Sequence, residues 1–201
     1  SDTGAPLAAS VAVSGEQDRE IVPDGNHEHV MYLGRTRWYV DSGFSVTCSD
    51  QKLQLEIRRG PETLPLELEI DMRQGKGKVK VLELKRWTHM LAKGYMSGDS
   101  HMHLPPAKSA QLQMKAEDLH VANLLTSDFN EGDLEFTGRL DPVSTEKEFI
   151  YVGQEIRDWQ LGHANFLNLP SIVEPLKPFG GSLFTQGSNP HMLLAPRLIK
   201  A

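Results

Sequence analysis

The chain has 201 residues, 24% charged and 39% hydrophobic, which is typical of a globular protein of one or two domains. Its formal net charge of -6 leaves no basic surplus to neutralise phosphates, so no nucleic-acid partner is indicated. No apolar run is long enough to span a bilayer, and the single cysteine, Cys48, excludes an internal disulfide or a cysteine-based zinc knuckle.

The first stretch, residues 1–27, is rich in Ala, Ser, Gly and Asp and has no clear hydrophobic period. This composition predicts a poorly ordered arm over residues 1–27. Its beginning, SDTGAPLAASVAVSG, lacks the basic start and long apolar core of an intact signal peptide, and is consistent with what remains after cleavage or trimming.

Residues 28–92 contain short segments in which apolar and polar residues often alternate, separated by turn residues. The segments are HVMYLG, RWYVD, FSVTC, LQLEIRRG, LELEIDM and KVKVLEL. Several short strands at this spacing predict a small β-sandwich domain. LQLEI and KVKVLEL have the clearest period of two, so each should bury one face, and Cys48 in FSVTC should pack within the domain.

The pattern changes near residue 92. KRWTHMLAKGY (85–95) has apolar residues at helical spacing, which predicts a short bridging helix. Beyond it, the helix formers of SAQLQMKAEDLH are followed by three apolar runs, VANLLT, EFIYVGQEI and HANFLNL. Apolar strands that alternate with helices indicate parallel βα units, so we predict an α/β domain over residues 93–201.

Two histidines open this second part, in the string GDSHMH. Alternate residues of a strand point the same way, so His101 and His103 should aim both imidazoles at one spot. By itself this spacing is a weak motif, and two surface histidines are the commoner case. Asp99, two residues earlier, either orients a ligand by a hydrogen bond or caps a turn.

Three further residues with metal-binding side chains, Asp128, Glu155 and His163, lie at or just beyond the ends of predicted strands. The carboxyl ends of parallel strands gather binding groups at one edge of a sheet. Imidazoles and carboxylates together suit zinc, manganese or iron, and a carboxylate can bridge two such ions. Taken singly, Glu155 as an ion-pair partner and His163 as a structural histidine are the commoner roles.

Several strings, in order, resemble a known family. YMSGDSHMH, AEDLHVANLL, VGQEI and LGHANFLNL look like the opening of the CehA/McbA-type metallohydrolases, a branch of the polymerase and histidinol phosphatase (PHP) superfamily. GFSVTCSDQKLQLEIRRGPE is similar to the carboxypeptidase-regulatory or transthyretin-like β domain that precedes such PHP domains. The resemblance covers residues 30–201. It implies an α+β chain, in which a small β-sandwich is followed by part of a distorted, TIM-type βα barrel.

The resemblance also implies a function. It predicts a metal-dependent hydrolase of phosphoester, ester or carbamate bonds in a small-molecule substrate, with two or three Zn, Mn or Fe ions. The positions that match the family are His101 and His103 for the opening pair, Glu155 for the bridging, catalytic carboxylate and His163 for the next histidine.

Two departures from the family pattern accompany the match. Phe129 stands where a ligand histidine is expected, so either Asp128 replaces that histidine as a ligand or one metal position is lost. The family's later ligands would lie beyond Ala201, so the chain matches only half a site. We therefore predict a truncated catalytic domain and no hydrolysis by these 201 residues alone.

A non-catalytic module is the alternative function. The β-sandwich would then bind carbohydrate or protein beside a degenerate PHP-like domain, as Phe129 suggests. Trp38, Tyr39 and Trp159 would supply stacking surfaces, although the core is their commoner place. The Gly-rich residues 178–190 form either a loop over the site or a plain connection. An open sheet edge would allow two copies to pair, and the trimmed-looking start and secreted relatives favour a secreted or periplasmic location.

Overall fold

A computed structural model describes residues 4–32, 34–73, 79–103, 105–126, 136–158 and 162–173 of the chain. The chain divides into two compact units. The first contains Ser1–Ser97 with Leu112–Leu119, and the second contains Gly98–Gln111 with His120–Ala201. Among the described residues each unit has one sheet, and with the helix Ala107–Glu117 this confirms the predicted mixture of α and β structure. Among the described residues, no helix is long and apolar enough to cross a membrane.

The first unit is built on a five-stranded antiparallel sheet. Its strands are β1 (Ala9–Ser14), β2 (His29–Tyr32), β3 (Arg35–Val40), β4 (Lys52–Arg58) and β5 (Leu66–Asp71), in the order β2-β3-β1-β4-β5. The alternation in the sequence produces this structure directly. In β4, for example, Leu53, Leu55 and Ile57 are buried while Lys52 and Gln54 are exposed.

The predicted arm contains the central strand of this sheet. Val11 of β1 pairs with Trp38 on one side and Ile57 on the other, and it is 0% exposed. The prediction of a poorly ordered arm is therefore wrong for Ala9–Ser14. Ala and Ser contribute little to a hydrophobic pattern, and here pairing on both sides and burial form the strand rather than the intrinsic propensity of these residues.

One face of the sheet is covered by extended chain. Phe44, Val46 and Cys48, together with Leu82 and Leu84, pack against the buried residues of β1, β3 and β4. Neither FSVTC nor KVKVLEL forms a strand, so the second sheet of the predicted sandwich is wrong for these segments. Their alternate side chains do turn inward, as the period of two requires, and Cys48 is packed as predicted.

The opposite face of this sheet carries a polar cluster. Arg37 donates from Nε to Ser10 Oγ (3.3 Å) and from Nη2 to Ser10 O (3.2 Å), and its Nη1 lies 3.2 Å from Glu56 Oε2. Glu117, near Ser10 and Arg37, has a pKa raised above its usual value, chiefly by burial. Burial, with a smaller contribution from Glu117, raises the pKa of Tyr39 to about 12.

The second unit is built on a curled, half-barrel sheet. Its strands are β6 (Gly98–Met102), β7 (Val121–Thr126), β8 (Phe149–Asp158) and β9 (Gly162–Phe166), in the order β6-β7-β8-β9. The helix α1 (Ala107–Glu117) connects β6 to β7, as the helix formers of SAQLQMKAED predict. β6, β7 and β8 run parallel to one another, which confirms the prediction of parallel strands in this part of the chain. β9, in contrast, is antiparallel to β8.

Two predictions about the surrounding segments differ from the structure. Only Leu91–Lys93, a short 3-10 helix, forms within the predicted bridging helix 85–95. Gly94 follows in the left-handed conformation with φ of 87°, and its N–H donates to Leu91 O, so the helical turn ends there. The antiparallel β9 departs from the purely parallel arrangement that apolar runs alone predict.

We expect Val11→Ala to lower the free energy of unfolding by about 1.5–3 kcal/mol, because it removes buried methyl groups from the central strand. Val79, which is 93% exposed, supplies the matched control, since Val79→Ala should change stability by less than about 0.5 kcal/mol. Urea unfolding of both variants is the measurement. Equal effects would contradict the structural role of β1.

We expect the Tyr39 phenol to ionise at about pH 12, well above an ordinary tyrosine at about 10. Because the folded state raises this pKa, the stability that the neutral phenol contributes is present below about pH 10 and is lost as pH rises towards 12. An ultraviolet titration of phenolate measures this step. Tyr39→Phe should remove the late step alone, and an unchanged titration in that variant would refute the assignment.

Candidate metal centre

Three strands bring four predicted site residues to one edge of the second sheet. His101 lies on β6 with His103 just beyond its end, Glu155 lies near the carboxyl end of β8, and His163 lies near the start of β9. Because β9 runs antiparallel to β8, its start meets the edge at which the parallel strands end. The four side chains therefore lie at the carboxyl edge of the parallel strands, as predicted. The unexpected feature is that His163 reaches this edge from an antiparallel strand.

Glu155 is the centre of this group. Its side chain is 0% exposed, and three imidazole nitrogens approach its two oxygens. His103 Nε2 lies 2.9 Å from Oε2, while His163 Nδ1 and His101 Nε2 lie 2.6 Å and 3.6 Å from Oε1. The structure thus brings His101, His103, Glu155 and His163 together.

The spacing of the ligand atoms suits a metal ion. One ligand atom from each of His101, His103 and Glu155 can be chosen so that all three lie within 4.8 Å of one another, so this group could hold a metal ion. In a tetrahedral site with bonds of about 2.1 Å, ligand atoms stand about 3.4 Å apart. The contacts of 2.9 Å and 3.6 Å between the imidazoles and Glu155 bracket that spacing.

The environment of the site differs on its two sides. Glu155 is enclosed and the His103 side chain is 16% exposed, whereas the side chains of His101 and His163 are 41% and 48% exposed. A buried carboxylate costs several kcal/mol unless donors or cations meet it. Each imidazole nitrogen beside Glu155 can supply that compensation only as an N–H donor or by sharing a cation with the carboxylate. The side formed by His101 and His163 is open to solvent.

Neighbouring groups orient the two histidines of the opening pair. His103 Nδ1 lies 3.2 Å from the Leu125 carbonyl oxygen, which accepts only, so Nδ1 carries the hydrogen and Nε2 faces Glu155. Asp99 Oδ1 accepts a hydrogen bond of 2.8 Å from the backbone N–H of His101. Asp99 therefore contacts the backbone of His101 and not its imidazole. Of the two roles considered for Asp99, this contact matches the capping of a turn.

Two residues that sequence reasoning missed support the site. Asn165 Nδ2 lies 2.9 Å from His101 Nδ1. Gln154, which is 0% exposed, exchanges two hydrogen bonds of 2.8 Å with the backbone of Val173 and so fixes the chain after β9. A glutamine inside the apolar run EFIYVGQEI was a usable signal, because a buried amide must find partners. Asn165 carried no comparable signal.

Other predicted residues are not part of the described site. Asp128, Phe129 and Trp159 lie outside the described residues, as does the Gly-rich stretch 178–190. Trp38 and Tyr39 are only 4% and 7% exposed, so they belong to the packed interior rather than to a stacking surface.

Comparison of the chain with protein-family models, curated proteins and solved structures finds no match. The resemblance to the CehA/McbA-type metallohydrolases therefore stays a prediction from the sequence strings. The contacts around Glu155 stand independently of it, because they follow from the chain's own strands and side chains.

We expect Gly153→Ala to damage the site through the backbone. A Cβ at Gly153 would lie 2.7 Å from Phe166 O and 3.1 Å from Leu125 Cδ2, so β9 must shift away from β8. Overpacking of this kind typically costs about 1–3 kcal/mol. Thermal unfolding and zinc titration should therefore show lower stability and weaker binding.

Gly43→Ala is the matched control for this substitution, because nothing lies within 4 Å of a Cβ at Gly43. It should leave both stability and zinc affinity close to those of the unsubstituted chain. Wild-type behaviour of Gly153→Ala would show that the close approach of β8 and β9 does not hold the site.

Proposed function

We propose that the protein is a metal-dependent hydrolase of the PHP superfamily, acting on a phosphoester, ester or carbamate bond of a small molecule. The observation that supports this proposal is the convergence of His101, His103 and His163 on one fully buried carboxylate, Glu155. Imidazole nitrogen and carboxylate oxygen are the donors of zinc, manganese and iron hydrolase sites.

The residues have separable roles in this proposal. His101, His103 and Glu155 would hold a divalent metal ion, which would supply a water nucleophile at neutral pH and polarisation of the bond to be cleaved. Glu155, on the strand between β7 and β9, provides a buried carboxylate with an imidazole nitrogen close to each of its oxygens. The half-exposed His101 and His163 mark the side from which a substrate can reach the site.

The resemblance extends the proposal beyond the described residues. It adds a cluster of two or three ions, with Glu155 as the bridging carboxylate and Asp128 as a further ligand. It also adds a secreted or periplasmic location. The alternative of a carbohydrate- or protein-binding module has less support, because Trp38 and Tyr39 are buried.

We expect Glu155→Gln to weaken zinc or manganese binding at least about 100-fold, because an amide replaces the charged oxygens that the histidines surround. Isothermal titration of the metal-free chain measures the affinity, and elemental analysis gives the number of ions bound. Glu146→Gln, the same change at an exposed position of the second unit, should retain the affinity of the unsubstituted chain.

The catalytic part of the proposal is tested by hydrolysis assays of the purified protein. Glu155→Gln should abolish metal-dependent cleavage of phosphoester, carboxylic ester and carbamate model substrates, and Glu146→Gln should not. Unchanged metal content together with unchanged hydrolysis in Glu155→Gln would refute the proposed function.

A further inference from the structure

The two histidines of the opening pair have chemically different partners at Nδ1. His103 Nδ1 faces the Leu125 carbonyl, which only accepts hydrogen bonds. His101 Nδ1 faces the side-chain amide of Asn165 at 2.9 Å, and an amide both donates and accepts. The tautomer of His103 is therefore fixed by the backbone, whereas that of His101 depends on one replaceable side chain.

We infer that Asn165 is a positioning residue that sets the tautomer of His101, and thereby decides whether His101 Nε2 is free to bind a metal ion. The inference about the tautomer stands on the contact between Asn165 and His101 alone. Its consequence for the metal rests on the proposed function.

The two orientations of the Asn165 amide have opposite effects. When Nδ2 faces His101, the amide donates to Nδ1, and the ring hydrogen sits on Nε2, which points towards Glu155 Oε1 at 3.6 Å. When the amide is rotated by half a turn, Oδ1 accepts from Nδ1–H, and Nε2 presents a lone pair. Because the amide nitrogen and oxygen are nearly the same size, the exchange needs no movement of the backbone.

The register of the sheet places Asn165 for this role. Asn165 is directly opposite Glu155 in the β8–β9 ladder, and residues directly opposite one another share a face of the sheet. His163, two residues earlier on β9, shares that face as well. One antiparallel strand thus supplies both a candidate ligand and the group that orients a second ligand. Asn165 is also exposed, so substitutions there should leave folding intact.

The first experiment measures the tautomer directly in the metal-free chain. Imidazole nitrogen shifts of His101 are recorded by NMR at alkaline pH, where histidines are neutral, for the unsubstituted chain, Asn165→Asp and Asn165→Leu. Asn165→Asp can only accept, so it should drive His101 to the Nδ1–H form. Asn165→Leu offers no hydrogen bond and should give a mixture. Identical tautomer populations in all three chains would overturn the inference.

The second experiment measures zinc or cobalt affinity. We expect Asn165→Leu to bind about 10–100-fold more weakly, and Asn165→Asp to bind at least as tightly as the unsubstituted chain. Each substitution is repeated with His101→Ala, because an effect that acts through His101 must vanish when the imidazole is absent. A loss of the same size in the His101→Ala background would overturn the inference, as would unchanged affinity in Asn165→Leu.

The two experiments separate this inference from the proposed function. If the unsubstituted chain binds no metal, the proposed function fails, while the NMR comparison still decides whether Asn165 sets the tautomer. If the chain binds metal and the Asn165 variants change neither tautomer nor affinity, the metal centre stands and the inference fails. Thermal unfolding of the metal-free variants should match that of the unsubstituted chain, which distinguishes positioning from a structural defect.

Discussion

The fully buried carboxylate of Glu155 is the constraint on which the second unit depends. Strand β8 is apolar enough to be enclosed, and a carboxylate within it is stable only if donors or cations reach both oxygens. His103 reaches Oε2 although β7 lies between β6 and β8, and it contacts the β7 carbonyl of Leu125 on the way. His103 lies just beyond the end of β6, and this position makes that reach possible, because the side chain of a residue inside a strand stands perpendicular to the sheet.

The antiparallel direction of β9 also brings side chains to Glu155. A parallel fourth strand would place its first residues at the opposite edge, far from the end of β8. Running back along β8, β9 places His163 and Asn165 beside Glu155 within ten residues of chain. Gly153 permits this close pairing, since any side chain there would meet the backbone of Phe166.

Sequence reasoning placed His101, His103, Glu155 and His163 at one edge of a sheet, because each combines a side chain able to bind a metal with a position near the end of an apolar strand. It missed β1, whose Ala and Ser residues become a strand only through pairing on both sides. It overinterpreted KVKVLEL, because alternation reports which side chains turn inward and not whether the backbone has a partner strand. It could not find Asn165, whose importance lies in a contact to a residue 64 positions away.

The two units also differ in the kind of group that lies against a buried carboxylate, a guanidinium in the first unit and imidazoles in the second. In the first unit, Arg37 holds Glu56, and a guanidinium keeps its hydrogens under all ordinary conditions. The contact between Arg37 and Glu56 therefore keeps the same charges and hydrogens at any ordinary pH. In the second unit, Glu155 is held by imidazoles, each of which can give up a hydrogen and present a lone pair from the same position. The group formed by His101, His103 and Glu155 could therefore hold a cation, whereas a guanidinium has no lone pair to offer one.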